Sequence, residues 1–202
     1  RTDSDLNELA GHYGPRFVVT GALLLWGVLA PELPAVAVIE LPPGEPAALN
    51  EVLSWAGTAA ALLTMGTAAV GGLISEWPDA IGAVSASAAV VAAAYAAKSY
   101  FKTRFRRTRP SAVLALSLDD PDDWRSFPSG HALLAWAGAG DALVRTVRGT
   151  FDPWLLATVT FEAVAVSFLR VAAGEHYPGD VIAGAAIGLA VGSIVSFVLL
   201  PL

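Results

Sequence analysis

The chain has 202 residues, of which 55% are hydrophobic and only 15% charged, with a formal net charge of −6 and no cysteine. A soluble globule carries about a quarter charged residues, so this composition points to a bilayer. Without thiols there are no disulfides, thiolate metal sites or cysteine nucleophiles, and the acidic balance argues against nucleic acid as a partner.

Arg1–Arg16 is polar and lacks the basic, apolar and small-residue layout of a cleavable signal; His12 within it reads as solvated. A first span is predicted from Phe17 to about Ala30, or to Ile39 if the helix tolerates Pro31, Glu32 and Pro34. Glu40–Asn50 reads as a Pro-rich acidic loop. Val52–Ser75, Ala80–Ala97 and Val181–Leu202 carry no charge, and each reaches the roughly 18–20 residues a spanning helix needs.

Val52–Ser75 is therefore the second span, followed by a turn at Glu76–Asp79 and a third helix, Ala80–Ser99. A basic stretch, Lys102–Pro110, precedes an acidic loop, Asp119–Arg125, whose carboxylates read as solvated. Phe127–His131 opens a fourth helix ending near Arg148; the fifth runs from about Pro153 to Arg170, and the sixth from Pro178 to the end. The expected fold is all-α, a polytopic membrane bundle of about six transmembrane helices forming one domain over residues 1–202.

With that count, the end of helix three, both starts of four and six, and the end of five share one membrane face. Lys102–Pro110, Pro128–His131, Arg170 and His176–Asp180 then converge there. The Glu32–Asn50 loop is expected on the same face. Cations gathered where helices begin make an anion site, because helix N-termini present free N–H groups and a positive dipole end. Ser129 suits an N-cap, Gly130 lets backbone approach a ligand, and His131 stands on the first turn. Pro178 suits a first helical position, which leaves His176 just outside and Asp180 inside, able to accept a hydrogen bond from one ring nitrogen. Two histidines, several cations and a helix start fit phosphoryl transfer, where positioning and charge stabilisation do most of the chemistry.

Lys102 and Arg109-Pro110 form K-x6-R-P, Pro128–His131 reads P-S-G-H, and Arg170, His176 and Asp180 form R-x5-H-x3-D. In this order and spacing the chain resembles the type 2 phosphatidic acid phosphatase family, over about residues 98–188. That family shares its site with bacterial acid phosphatases and vanadium haloperoxidases. The resemblance implies that His176 is a nucleophile forming a phosphohistidine, that Asp180 orients it, and that His131 protonates the leaving alcohol and then activates water. It further implies that Lys102, Arg109 and Arg170 bind the phosphoryl oxygens with Ser129 and the Gly130 amide, with no metal or other cofactor. The family's third motif usually begins Ser-Arg, whereas Leu169 precedes Arg170 here.

The implied substrate is a membrane lipid phosphate: phosphatidic acid, phosphatidylglycerol phosphate or a polyprenyl diphosphate. A lipid phosphotransferase using a second alcohol and a vanadate-dependent haloperoxidase are the alternatives. Basic residues are nearly balanced between the two faces, and the resemblance to bacterial members implies an extracytoplasmic site in a bacterial or archaeal membrane.

Outside the motifs, Arg104, Arg106 and Arg107 read as headgroup-facing charges. Asp141 and Glu162 fall inside predicted spans, where carboxylates are costly. Arg145 lies four residues from Asp141 and can pair with it, while Glu162 is expected to face the bundle interior and find a polar partner on another helix. Gly184, Gly188 and Gly192 form a ridge expected to pack inside the monomer rather than between subunits.

Overall fold

The computed structural model describes residues 46–75, 80–115 and 121–200. The 1–16 segment with His12, the span expected from Phe17, the loop as far as Glu45, the Glu76–Asp79 turn, and Asp119 and Asp120 lie outside the described residues. The helices are α1 (Pro46–Ser75), α2 (Ala80–Arg104), the short α3 (Pro110–Ala115), α4 (Gly130–Val147), α5 (Pro153–Ala172) and α6 (Pro178–Leu199), with a 3-10 turn at Pro121–Trp124. No strand forms among the described residues; a lone bridge pairs Arg107 with Arg125. The architecture is all-α, and Ile81–Arg104, Pro153–Ala172 and Pro178–Leu199 are long and apolar enough to cross a membrane.

Helix boundaries follow local chemistry. Pro46, Pro153 and Pro178 each open a helix, where a fixed φ helps and the missing N–H is not needed. At α5, Asp152 completes the start by accepting the Trp154 N–H at 2.7 Å. Two expectations are corrected. The loop read as Glu40–Asn50 becomes helical from Pro46, because a proline followed by Ala-Ala-Leu nucleates α1. Helix α2 does not stop at Ser99 but continues to Arg104, with no Gly or Pro to break it and with Lys102 and Arg104 complementing the dipole of its last turn.

Helix α4 is the hub, packed against α1, α2, α5 and α6. Its core contacts are small: Ala135, Ala139 and Ala142 meet Ala61, Ala68, Ala163, Val159 and Val166 in one cluster. Leu133 and Ala137 meet Val90, Ala94 and Ile187 in another. Small residues let backbones approach closely, which substitutes for the hydrophobic drive that lipid removes. The bulky apolar side chains point outward instead, Ile81, Trp154, Phe161 and Val198 among the most exposed.

The glycine ridge is an intramolecular seam. A Cβ at Gly184, Gly188 or Gly192 would lie 2.5, 2.1 or 2.0 Å from the carbonyl oxygens of Ser129, Leu133 and Ala137. Three glycines of α6 thus ride directly on three successive turns of α4, locking the start of one motif helix to the start of the other.

At the far end, the fully buried Arg145 donates through Nε to Asp141 Oδ1 at 2.9 Å and through Nη2 to the Ala83 carbonyl at 3.0 Å. Ser87 donates to Asp141 Oδ2 at 3.0 Å, and Ser196 donates to Oδ1. One ion pair with two hydroxyls therefore ties α2, α4 and α6 together. Removing one member strands a buried charge, so Arg145→Met should destabilise the protein by about 3–5 kcal/mol, whereas Arg145→Met with Asp141→Leu should recover much of the loss. Thermal midpoints in detergent check this, and a wild-type midpoint for the single variant would contradict it. Glu162 lies beside Thr64 and Thr67 of α1, while its buried Oε2 has no hydrogen-bond partner among the described residues.

Candidate active site

The end opposite Arg145 collects the last turn of α2, the first turns of α4 and α6, and the last turn of α5. The segment between α2 and α4 is fixed by backbone bonds that place its arginines. Arg107 N–H donates to the Trp124 carbonyl (3.1 Å), Ser126 N–H to the Arg107 carbonyl (2.9 Å), Arg109 N–H to the Asp123 carbonyl (2.7 Å) and Ser111 N–H to the Gly174 carbonyl (2.9 Å). The Ser129 N–H donates to the Asp180 carbonyl at 2.9 Å, so the starts of α4 and α6 are joined directly.

Asp180 is wholly buried and holds three donors: Arg107 Nη1 at 2.8 Å, Ser126 Oγ at 2.5 Å and its own helix's Tyr177 N–H at 3.0 Å. The last of these is the reach-back of a third helical residue that stabilises a helix start. The expected hydrogen bond from His176 does not form: Nδ1 lies 3.9 Å from Asp180 Oδ2, beyond bonding reach. The physical reason is occupancy, since the carboxylate is already taken by Arg107, Ser126 and Tyr177. Arg107 is corrected as well. It does not face headgroups but stacks 4.2 Å over the Tyr177 ring and ion-pairs with Asp180, while Arg104 and Arg106 are exposed.

His176 is 2% exposed, and its Nδ1 has no hydrogen-bond partner among the described residues. Burial first, then the charges of Arg109, Arg170 and Lys102 and the proximity of His131, hold its imidazole well below the ordinary histidine value. It is therefore neutral, with a lone pair free, in a strongly positive surround.

Arg109 donates through Nε to the Asp122 carbonyl at 2.9 Å and through Nη1 to Glu175. Arg170, almost fully buried, reaches the same Glu175 oxygen through Nη2 at 3.4 Å. Lys102 donates to the Arg125 carbonyl. Ser129 occupies the N-cap position of α4 but makes no side-chain cap; its buried hydroxyl has no hydrogen-bond partner among the described residues. A Cβ at Gly130 would lie 3.0 Å from Cε of Lys98, so the absent side chain admits a further lysine beside the helix start.

His131 Nε2 stands 3.1 Å from Thr58 Oγ1 on α1. The neighbouring Gly57 lies against Arg170, whose Cδ would be 3.1 Å from a Cβ there. Helix α1, which carries no motif, thus supports two of the predicted site residues.

The structure brings Lys102, Arg109, Ser129, Gly130, His131, Arg170, His176 and Asp180 to one end, and keeps Asp141 and Glu162 within the bundle away from it. Sequence reasoning missed Thr58, Lys98, Arg107, Ser126 and Glu175. Arg107 and Glu175 carried a signal, a charge two and one residues from a motif residue. Thr58 carried none, being 73 residues from its partner.

Fold and site together define an all-α membrane bundle with two histidines and several cations gathered at one end. Residues 83–199 match the model of the PAP2 superfamily, and the chain belongs to that family. It is 44% identical over 68 residues to an undecaprenyl-diphosphatase of Sulfolobus acidocaldarius, covering 34% of this chain and 30% of that protein. It is 38% identical over 106 residues to a decaprenylphosphoryl-5-phosphoribose phosphatase of Mycobacterium tuberculosis, covering 52% of this chain and 55% of that one. The chain thus spans about half or less of the length of these relatives. The crystal structure of Aquifex aeolicus LpxE superposes with a TM-score of 0.51 at 26% identity, covering 73% of this chain and 90% of that one.

Proposed function

We propose that this protein hydrolyses a terminal phosphate from a membrane lipid through a phosphohistidine on His176, without a metal ion. The observation that carries the reading is a neutral, buried His176 beside Arg109, Arg170 and Lys102, an arrangement suited to holding a phosphoryl group against a nitrogen lone pair. With Nδ1 turned toward Asp180, Nε2 is the attacking atom.

In the first step the Nε2 lone pair forms an N–P bond while the P–O bond breaks. The departing oxygen keeps that electron pair and takes a proton from His131, which enters the step protonated and leaves it neutral. In the second, neutral His131 removes a proton from water, the new hydroxide attacks phosphorus, and the N–P electrons return to His176. Lys102, Arg109, Arg170, the Gly130 N–H and the unbonded Ser129 hydroxyl would share the three non-bridging oxygens. Asp180 acts through Arg107 and the α6 start that it holds.

Two relatives bear names of polyprenyl phosphates, which favours a polyprenyl lipid over phosphatidic acid or phosphatidylglycerol phosphate. An extracytoplasmic site is part of the same reading, favoured by the resemblance to bacterial family members. The test is phosphate release by the full chain in detergent with EDTA present, across polyprenyl diphosphate, phosphatidic acid and phosphatidylglycerol phosphate. Release from the polyprenyl lipid that survives the chelator is expected. Release abolished by EDTA would overturn the metal-free mechanism, and none without an added acceptor alcohol would replace hydrolysis by transfer.

A further inference from the structure

Arg109 and Arg170 come from opposite sides of the site, one from the loop after α2 and one from the end of α5, yet both point at one oxygen of Glu175. Glu175 sits on the short turn between α5 and α6, directly before His176. The turn is anchored by the Gly174 carbonyl accepting from Ser111 N–H, and Gly174 adopts φ +65°, a conformation that costs glycine little. The Glu175 side chain is 24% exposed, against 17% for Arg109 and 3% for Arg170, so it approaches the pair from the solvent side.

We propose that Glu175 is a specificity-determining residue, an internal anion that occupies the arginine pair and yields it to a terminal phosphate but not to a phosphodiester. The inference rests on the phosphatase reading above. A carboxylate oxygen bridging two guanidinium groups stands where a non-bridging phosphoryl oxygen would stand. An incoming group must therefore displace it, and the partly exposed side chain has room to swing toward water.

Displacement is a competition between anions. A terminal phosphate brings close to two negative charges and three free oxygens at neutral pH. The phosphodiester of a bulk phospholipid brings one charge and two free oxygens, no better than the carboxylate already present. In a bilayer, phosphodiesters vastly outnumber a scarce phosphomonoester or diphosphate, so an unguarded arginine pair would be held by the wrong lipid. Glu175 also compensates two neighbouring cations while the site is empty, which keeps the guanidinium groups together in the geometry that phosphate needs.

The apparent affinity of any anion is reduced by the fraction of time that Glu175 is away. If the carboxylate holds the pair about nine-tenths of the time, removing its charge tightens anion binding about tenfold. In Glu175→Gln, the inhibition constant for inorganic phosphate and the KM for the lipid substrate should both fall by about that factor. Phosphatidylglycerol in mixed micelles, without effect on the wild type, should become a competitive inhibitor. Glu175→Asp, whose carboxylate is withdrawn by one methylene, should fall between the two and serves if the Gln variant does not fold.

A rise or no change in the phosphate inhibition constant, in a wild type that releases phosphate, would overturn the Glu175 inference alone and make the residue a support for its arginines. A tighter phosphate constant with no new inhibition by phosphatidylglycerol would overturn the discrimination against phosphodiesters. Absence of both turnover and phosphate binding in the wild type would overturn the phosphatase reading and this inference with it.

Discussion

Phosphate release by His176→Ala should be lower than wild type by about 10⁴-fold or more, the scale of losing a nucleophile that acts as a unit with its neighbours. His176 is buried and kept neutral by burial and by Arg109, Arg170, Lys102 and His131, so the form that the proposed attack requires is the resting form. Among the described residues the other imidazole at this end is that of His131, whose Nε2 lies 3.1 Å from Thr58 Oγ1. The alanine variant keeps the arginines, so it should still bind inorganic phosphate while failing to turn over lipid. Brief incubation with a lipid labelled in its terminal phosphate should leave wild-type protein carrying label that is stable to alkali and lost in acid, and the variant carrying none. Turnover retained by a folded variant would remove His176 from the mechanism.

The helical frame was legible because its punctuation is local. Proline at a first helical position marks the starts of α5 and α6, and the polar breaks between apolar runs mark the connections. Convergence of Lys102, Arg109, Pro128–His131, Arg170 and His176–Asp180 followed from helix count and direction alone, since alternate helix ends must share a face. The glycine ridge followed from spacing, and the structure shows its partner to be the backbone of α4.

What was not legible depends on competition among side chains. Spacing placed His176 and Asp180 within reach of each other, but spacing does not reveal that Arg107, Ser126 and the Tyr177 N–H also compete for that carboxylate. Arg107 looked like one of several equivalent cations in a basic run; only the backbone bonds from residues 107 and 109 to residues 123–126 turn it inward. Thr58 lies on a helix whose residues carry no pattern beyond apolarity. The Glu175 carboxylate is one among many acidic residues until Arg109 and Arg170 are seen to share it.

Because Asp180 serves Arg107 rather than the histidine ring, the damage from Asp180→Ala should come through the joint it holds. Substitution leaves a guanidinium that is 16% exposed, the Ser126 hydroxyl and the Tyr177 N–H at the N-cap of α6 without this acceptor. Breaking a buried pair by removing one partner costs about 3–5 kcal/mol. Phosphate release should fall by about 10³-fold, because the same joint aligns the α6 start, and His176 is two residues before it. Arg107→Ala should reproduce most of both losses. The double variant should be little worse than either single one, with a coupling of at least about 1.5 kcal/mol in thermal or denaturant stability. If Asp180 instead worked mainly by orienting His176, Asp180→Ala would abolish turnover while Arg107→Ala left activity and melting near wild type. The two losses would then be additive. Measuring all three variants in one detergent separates these cases, since a hub predicts shared loss and an orienting carboxylate predicts independence.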